Sequence, residues 1–200
     1  MSQLTLTSDP LGSATTGTWE FSNPAFYMTG ATSQRGVVLA DQYTIQTAGL
    51  TLANNTSAQS LFSSPSTVTV VAGTYEFECF FSLSGLSTSS STFSFGLATA
   101  GATFTQYWWA TGVKAASPGA GAVTYYTGAQ STLPAGGIAV ASTTATGAAR
   151  VQGIIVVTVG GTVVPQIQQI TASTAATVGP RYFKIRALGD SSSVSSGNWS

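Results

Sequence analysis

The sequence predicts an all-β protein built from antiparallel strands. Several stretches alternate apolar and polar residues with a period of two, and short β-branched and aromatic runs are bounded by Gly and Pro. No stretch has a convincing helical period of 3.6 residues. Eight or more short strands separated by such turns are typical of a sandwich or a barrel.

The clearest strand is predicted from Tyr75 to Ser84. Its odd positions are apolar, and they are Tyr75, Phe77, Cys79, Phe81 and Leu83. Residues two apart on a strand share a face, so this pattern predicts a half-buried strand. Cys79 falls on the apolar face and is expected to be a small buried side chain.

Further strands are predicted where the same signals recur. They are Val37–Leu39, Tyr43–Ile45, Leu50–Leu52, Thr67–Val71, Phe93–Leu97, Thr103–Gly112, Val123–Thr127, Ile138–Ala141, Arg150–Val159, Thr162–Thr171 and Arg181–Leu188. In the last of these, Phe183, Ile185 and Ala187 oppose Tyr182, Lys184 and Arg186. The period-two alternation again predicts one buried and one outer face.

Turn signals predict how the strands are joined. Gly160 and Gly161 lie between two β-branched flanks and predict a two-residue hairpin. Pro165 favours an edge or a bulge, because proline donates no ladder hydrogen bond. Gly179–Pro180 predicts a turn before the last strand. Thr56–Phe62 is compatible with one short helical turn that directs Leu61 and Phe62 inward.

The composition excludes several classes of functional site. The 200 residues include no histidine and one cysteine, which excludes a Ser-His-Asp triad, a His-bearing zinc site and an internal disulfide framework. Six cations and six anions give zero net charge, so no nucleic-acid partner is expected. No apolar run approaches the roughly 20 residues of a spanning helix. We expect no cofactor, no metal, no membrane partner and no enzymatic activity.

The low charge favours a place in an assembly. Charged residues make up 6% of the chain, while Ser and Thr together number 58. Little electrostatic repulsion keeps such molecules apart, and small polar side chains suit close packing. A weakly charged secreted-type β protein is the alternative. Met1–Asp9 has neither a basic start nor an apolar core, so we expect synthesis in a cytoplasm without a secretory leader.

The chain is predicted to consist of two parts. Residues 1–55 contain weaker strands and more turn residues, and we interpret them as an N-terminal arm or attachment segment. Residues 56–200 contain the stronger strands and are predicted to form the sandwich domain.

Glu76 and Glu78 are the only close carboxylate pair. On a strand they share a face about 7 Å apart, a separation that a glycosidase can use. The favoured interpretation is structural, with both carboxylates on the outer face and paired with Lys184, Arg186 or Arg150. Catalysis is the minor alternative, because nothing else in the sequence supports a substrate site.

Trp108 and Trp109 are adjacent, so a strand directs them to opposite sides. We expect one of them in the core and the other at a subunit interface, where Trp contributes a large contact area. Binding of a sugar is the minor alternative.

Three segments and the C-terminus resemble a domain of tailed-bacteriophage virion proteins. The segments are Gln34–Val38, Thr56–Phe62 and Ala72–Cys79, and the C-terminal stretches are Tyr182–Ile185 and Gly197–Ser200. The resemblance covers about residues 34 to 200. Such domains are similar to the trimeric jelly rolls of the tumour-necrosis-factor and complement globular-head type. The resemblance therefore implies an antiparallel jelly-roll β-sandwich that forms a homotrimer.

Phages carry such domains on heads as decoration (cement) proteins or head fibres, and on tails as fibre tips. The first hypothesis is a capsid decoration protein whose arm binds the major capsid protein or another virion protein, on the capsid surface rather than the tail. Candidate arm contacts are Trp19, Phe21, Phe26, Tyr27 and Arg35. Alternatively, these aromatic residues close the bottom of the jelly roll itself.

The second hypothesis is a tail fibre or spike component that binds a host surface glycan. Its candidate contacts, which serve as trimer-interface residues under the first hypothesis, are Trp108, Trp109, Tyr125 and Tyr126. Aromatic side chains on outward loops would stack on sugars in this arrangement.

Overall fold

The structure is a computed structural model that describes residues 19–22, 25–29, 35–38, 41–85, 92–114, 123–129, 138–139, 147–169 and 176–191. Within these ranges every regular element is a β-strand, which confirms the predicted all-β class. The strands are β1 Trp19–Ser22, β2 Ala25–Thr29, β3 Arg35–Val38, β4 Asp41–Gln46, β5 Leu50–Thr51, β6 Gln59–Ser60, β7 Val68–Val70, β8 Gly73–Ser84, β9 Thr92–Ala100, β10 Thr103–Lys114, β11 Val123–Ala129, β12 Ile138–Ala139, β13 Gly147–Val159, β14 Gly161–Gln169 and β15 Thr177–Gly189.

The strands form antiparallel sheets compatible with a β-sandwich. The larger sheet has seven strands in the order β11-β10-β13-β8-β15-β4, with β5 also beside β15. The second has five strands in the order β12-β9-β14-β6, with β7 also beside β14. Strands β1, β2 and β3 form a separate three-stranded sheet. Strands β4 and β5 fall within the segment predicted as an arm, yet they extend the seven-stranded sheet along β15.

A layer of phenylalanine side chains fills the space between the two larger sheets. Phe77 and Phe81 of β8 stack on Phe95 of β9, with ring centroids 6.3 and 6.2 Å apart. Phe81 also meets Phe93 edge-on at 5.5 Å, and Phe77 stacks on Phe183 at 6.1 Å. The predicted inward positions of β8 are all buried, and Cys79 is a free buried thiol, as expected.

Strand β15 has the alternation that the sequence predicts, with one polar exception. Phe183 and Ile185 are buried, whereas Lys184 and Arg186 are half-buried on the other face. Arg181 also lies on the inner side and is only 3% exposed. Its guanidinium donates to backbone oxygens of Ala48 and Gly179 at 2.8 and 3.1 Å and to Gln46 Oε1.

Arg181 therefore joins the end of β4 to the segment around Phe62. Its guanidinium carbon lies 5.5 Å from the centroid of the Phe62 ring. Gln46 Oε1 also accepts hydrogen bonds from the backbone and hydroxyl of Ser63 at 3.1 and 3.0 Å. Burial lowers the pKa of Arg181. These contacts connect β15, the end of β4 and residues 62–63.

The hairpin predicted at Gly160–Gly161 is wrong. Strand β13 pairs with β10 and β8, whereas β14 pairs with β9, β6 and β7, so the two glycines carry the chain from one sheet to the other. A Cβ atom on Gly161 would lie 2.3 Å from the backbone nitrogen of Ala102. The glycine is needed for close backbone approach rather than for a hairpin turn.

Pro165 lies in the interior of a sheet, on the central strand β14. Its pairing partner on one side is Leu97 of β9. On the other side, β7 pairs up to Val163 and β6 begins at Gln166, so the neighbouring strand is interrupted beside the proline. Leu61 N donates to Pro165 O across this gap at 2.9 Å. The gap accommodates a residue without an N–H group.

Two further local predictions are wrong. Gly179 and Pro180 lie inside β15, where the pairing with β8 is irregular between Val178 and Arg181, instead of forming a turn before the strand. Residues 56–62 contain bends and the short strand β6 instead of a helical turn. Leu61 and Phe62 are nevertheless buried as predicted, because their apolar area is removed from water in either conformation.

We expect Gly161→Ala to destabilise the fold. The new methyl group would overlap the backbone of residues 100–102, and relieving such overpacking costs about 1–3 kcal/mol. Urea unfolding followed by tryptophan fluorescence measures the change in free energy.

The matched control is Gly49→Ala, where the nearest atom is the side-chain methyl of Thr177 at 3.2 Å. That methyl group can rotate away, so the control should stay close to the parent. Equal stability of both variants would contradict a tight crossing at Gly161.

Candidate functional site

The charged side chains of the described residues are concentrated on the outer face of the seven-stranded sheet, which we call the charged face. Its members are Asp41, Tyr43 and Ile45 on β4, Tyr182, Lys184 and Arg186 on β15, Glu76, Glu78 and Phe80 on β8, and Arg150, Gln152 and Ile154 on β13. These positions alternate with the inward residues of the same four strands.

The sheet register places opposite charges directly across from each other. Arg186 lies between Asp41 and Glu76, and Lys184 is the direct partner of Glu78. Arg150 and Tyr182 are both opposite Phe80, two residues along β8 from Glu78. Direct and diagonal neighbours across a sheet are within reach of long side chains. The pairing therefore follows from register.

Glu78 is the centre of this network. Arg150 Nη2 lies 2.6 Å from Glu78 Oε1, and Lys184 Nζ lies 3.6 Å from Oε2. The Tyr182 hydroxyl donates a hydrogen bond to Oε1. The Glu78 side chain is only 11% exposed, so its charge is compensated by these three donors rather than by water.

Glu76 and Arg186 form the second ion pair of the face. Arg186 Nη2 donates to Glu76 Oε1 at 2.6 Å, and the Glu76 side chain is 40% exposed. The predicted pairing of both glutamates with Arg150, Lys184 and Arg186 is thus confirmed. The exposed pair contributes about 0–1 kcal/mol, because water and salt screen it.

The environment of Glu78 shifts two pKa values in opposite directions. Burial alone raises the pKa of Glu78, but the hydrogen bond from Tyr182 and the charges of Arg150 and Lys184 outweigh it, so the net pKa is lowered from 4.5. Burial and the hydrogen bond to Glu78 raise the pKa of Tyr182 to about 12. Tyr182 therefore stays a neutral donor while Glu78 stays an anionic acceptor.

Glu76 and Glu78 do not share the depression that the described residues form beside Glu76. Glu76 lines a shallow depression of about 270 Å³ together with Gln152, Ile154 and Leu188. Glu78 does not line it. A glycosidase needs two carboxylates that flank one substrate bond, so this arrangement does not support catalysis by the pair. The absence of enzymatic activity stays a prediction.

Cys79 is unsuited to nucleophilic chemistry. It is fully buried, and burial raises its pKa well above 9.0, with a further increase from the charge of Glu78. Among the described residues, no group of three or more His, Cys, Asp or Glu side chains is arranged to hold a metal ion. The same part of the chain has no helix long and apolar enough to cross a membrane.

A cleft of about 210 Å³ opens at the β4 edge of the sandwich. Its floor is formed by Phe183 and Ile185, and its rim includes Tyr43, Thr44 and Ser66. Tyr43 is 70% exposed. The sequence analysis does not include Tyr43 among the candidate site residues. A usable signal was its position in a strand that alternates apolar and polar residues.

The predicted interface aromatic residues are placed by register only. Trp108 pairs with Gly128 on β11 and with Gly153 on β13, and Gly153 pairs in turn with Phe77 on β8. Trp109 pairs with Thr127 on β11 and with Gln152 on β13, and Gln152 pairs in turn with Glu78 on β8. Tyr125 and Tyr126 lie on β11, opposite Thr111 and Ala110. The side chains of these four aromatic residues lie outside what the structure describes, so their roles stay predictions.

The candidate arm contacts fall on the three-stranded sheet. Trp19 is 63% exposed and lies opposite Met28, which is 43% exposed. Phe21 is half-buried and Tyr27 is buried, which fits the alternative that some of these aromatic residues pack within the chain. The side chains of Phe26 and Arg35 lie outside the described residues.

Comparisons with known proteins add no family or fold relative. No protein-family model, no curated protein sequence and no solved structure matches this chain. The functional argument therefore depends on the residues and contacts described above.

We expect acid to weaken the fold through Glu78. Its pKa is lowered in the folded state, so its stabilising contribution is present above pH 4.5 and is lost as the pH falls through the folded-state pKa. Glu78→Gln should lose about 1–3 kcal/mol at neutral pH and show a smaller loss on acidification. Urea unfolding at a series of pH values measures both effects.

The control is Glu76→Gln, which removes a more exposed carboxylate with one cationic partner. It should cost about 0–1 kcal/mol at neutral pH. Equal losses at neutral pH for the two variants would contradict the central role of Glu78.

A second titration concerns Tyr182. Because its pKa is raised from 10.0 to about 12, its contribution is complete below pH 10 and is lost as the pH rises towards 12. Subtracting the phenolate absorbance titration of Tyr182→Phe from that of the parent should isolate one late-ionising tyrosine. A difference curve centred at the ordinary value of 10.0 would contradict both the burial of Tyr182 and its hydrogen bond to Glu78.

Proposed function

We propose that this chain is a structural protein of a tailed-bacteriophage virion. In this proposal it is a capsid decoration protein that forms a homotrimer with jelly-roll subunits and binds the assembled shell through its N-terminal arm. The resemblance in the sequence suggests the phage context, and three features of the structure support it.

The first supporting feature is the nesting of the strand pairs. Eight strands, taken in chain order, are β4, β7, β8, β9, β12, β13, β14 and β15. The outermost two of these eight pair with each other, and so do the next two inward: β4 pairs with β15, β7 with β14, β8 with β13 and β9 with β12. A long hairpin rolled into two sheets, as in a jelly roll, would have this nested pairing, so the pairing supports the jelly-roll part of the proposal. Strands β10 and β11 are additions at the β13 edge.

The second feature, which carries the proposal, is the exposed apolar pair of the N-terminal sheet. Trp19 and Met28 lie opposite each other on β1 and β2 and are 63% and 43% exposed. Large apolar side chains that face solvent together on a small sheet suit a contact with another protein. Their position near the N-terminus matches an attachment role for the arm.

The third feature is charge pairing within the chain. Glu76 and Glu78 are neutralised by cations of the same sheet, and the net charge is zero. Many copies can therefore be placed close together on a shell without strong repulsion. A protein that binds only the assembled shell stabilises it by mass action.

The cleft beside Tyr43 favours a second candidate function, binding of a host glycan by a tail fibre or spike component. A cleft with an apolar floor, hydroxyl groups at its rim and no charged lining residue suits a neutral sugar. This cleft is separate from the aromatic residues proposed from the sequence.

The test of function is the location and copy number of the chain in virions. Particles whose copy of this protein carries an affinity label should be imaged and the copies per particle counted. Hundreds of copies over the head are expected for a decoration protein. A few copies at the tail would overturn decoration and favour glycan binding, and no copies would overturn both.

Attachment through the arm is tested by Trp19→Ala. Added to shells that lack the protein, this variant should bind at least about tenfold more weakly, as expected when a contact worth 1.4 kcal/mol or more is lost. Val159→Ala removes a similarly exposed apolar side chain, 53% exposed at the end of β13, and should bind like the parent. Equal binding by both variants would overturn the arm contact.

A further inference from the structure

The two larger sheets have very different outer faces. The charged face holds three of the six acidic residues of the chain and three of its six basic residues. The outward positions of the five-stranded sheet, as far as the structure describes them, are uncharged, and they include Thr69, Thr162, Val164, Gln166 and Gln168. The few charged residues of this chain are thus concentrated on one surface.

Exposed apolar side chains lie among these charges. Tyr43 is 70% exposed, Ile45 is 63% exposed and Ile154 is 44% exposed. Between them, the rings of Phe80 and Tyr182 stack with centroids 6.1 Å apart and are half-buried. Aromatic residues and arginine are enriched in protein interfaces, where apolar groups form the centre and polar groups the rim.

The charge pattern identifies the occupant of this face. Asp41, Glu76 and Glu78 are balanced by Arg150, Lys184 and Arg186, so the face has no net charge. A nucleic acid or an anionic lipid surface would require an excess of cations. A second copy of the chain presents the same alternating charges, so positive and negative groups can face each other without repulsion.

The same face also offers a protrusion and a depression. Tyr43 and Ile45 project from the edge strand β4, while the depression beside Ile154 lies between β8 and β13. Strand β4 is separated from β13 by three strand spacings, which is about 14 Å. A tyrosine side chain cannot span this distance within one chain, so only another molecule can bring the two together.

We propose that the charged face is a self-association surface, on which Tyr43 and Ile45 of one copy contact the depression beside Ile154 of the next. The inference deepens the homotrimer of the proposed function by naming the surface that holds the copies together. It does not depend on where the assembly is located in a virion.

Cross-linking tests this contact directly. The full chain with Tyr43→Cys and Ile154→Cys cannot close an internal disulfide, because the two positions are about twice the longest Cα separation that a disulfide bridges. Cys79 is buried and does not compete. We expect mild oxidation to give covalent oligomers on a non-reducing gel. The control combines Tyr43→Cys with Val159→Cys and should run as a monomer on the same gel.

The second measurement is the molar mass in solution, by light scattering during size-exclusion chromatography. Ile154→Lys replaces the apolar side chain at the contact with a charged one and should weaken association at least about tenfold, whereas Val159→Lys should behave like the parent. Unfolding curves of both variants check that each remains folded. A covalent trimer supports both the surface and the homotrimer.

The remaining outcomes are also decisive. A covalent dimer supports the surface but overturns the homotrimer. A parent chain that is monomeric at high concentration, or cross-linking no greater than in the control, overturns the surface while leaving virion location open. Conversely, an oligomer held by this face but absent from virions overturns the proposed function alone.

Discussion

Strand β8 supports both faces of the seven-stranded sheet, because successive residues of an extended chain point to opposite sides. Its odd positions supply Phe77 and Phe81 to the aromatic layer between the sheets, and its even positions supply Glu76 and Glu78 to the outer face. A shift of one residue in its pairing would bury both carboxylates and expose the phenylalanines. The core and the charged face therefore depend on the same register.

A change of register would expose the buried aromatic layer and would therefore cost free energy. The ion pairs on the outer face depend on the same register. Lys184 meets Glu78 and Arg186 meets Glu76 only because β15 is held beside β8 in one alignment. The charges contribute little free energy where they are exposed, but in the proposed self-association their balance allows this surface to face another copy. Exposed Tyr43 and Ile154 then give that surface an apolar contact area.

Local sequence patterns were reliable for strands and unreliable for their connections. The alternation in β8 and β15 was correctly predicted, since burial of one face imposes a period of two whatever the partner strand is. The glycines at 160 and 161 favour a hairpin in the sequence because they lie between two β-branched flanks. From β5 to β15 most connections between successive strands pass from one sheet to the other, including the connection between β13 and β14, so most neighbours in sequence are not neighbours in a sheet.

The sequence alone was sufficient for the all-β class, the inward residues of the main strands and the pairing of Glu76 and Glu78 with nearby cations. Those features follow from alternation and from the scarcity of charge in the chain. The tertiary structure was needed for the buried Arg181, the interrupted strand beside Pro165, the cleft beside Tyr43 and the depression beside Ile154. Each of these depends on which distant segments meet, and long-range pairing is set by the packing of whole sheets rather than by any short pattern of residues.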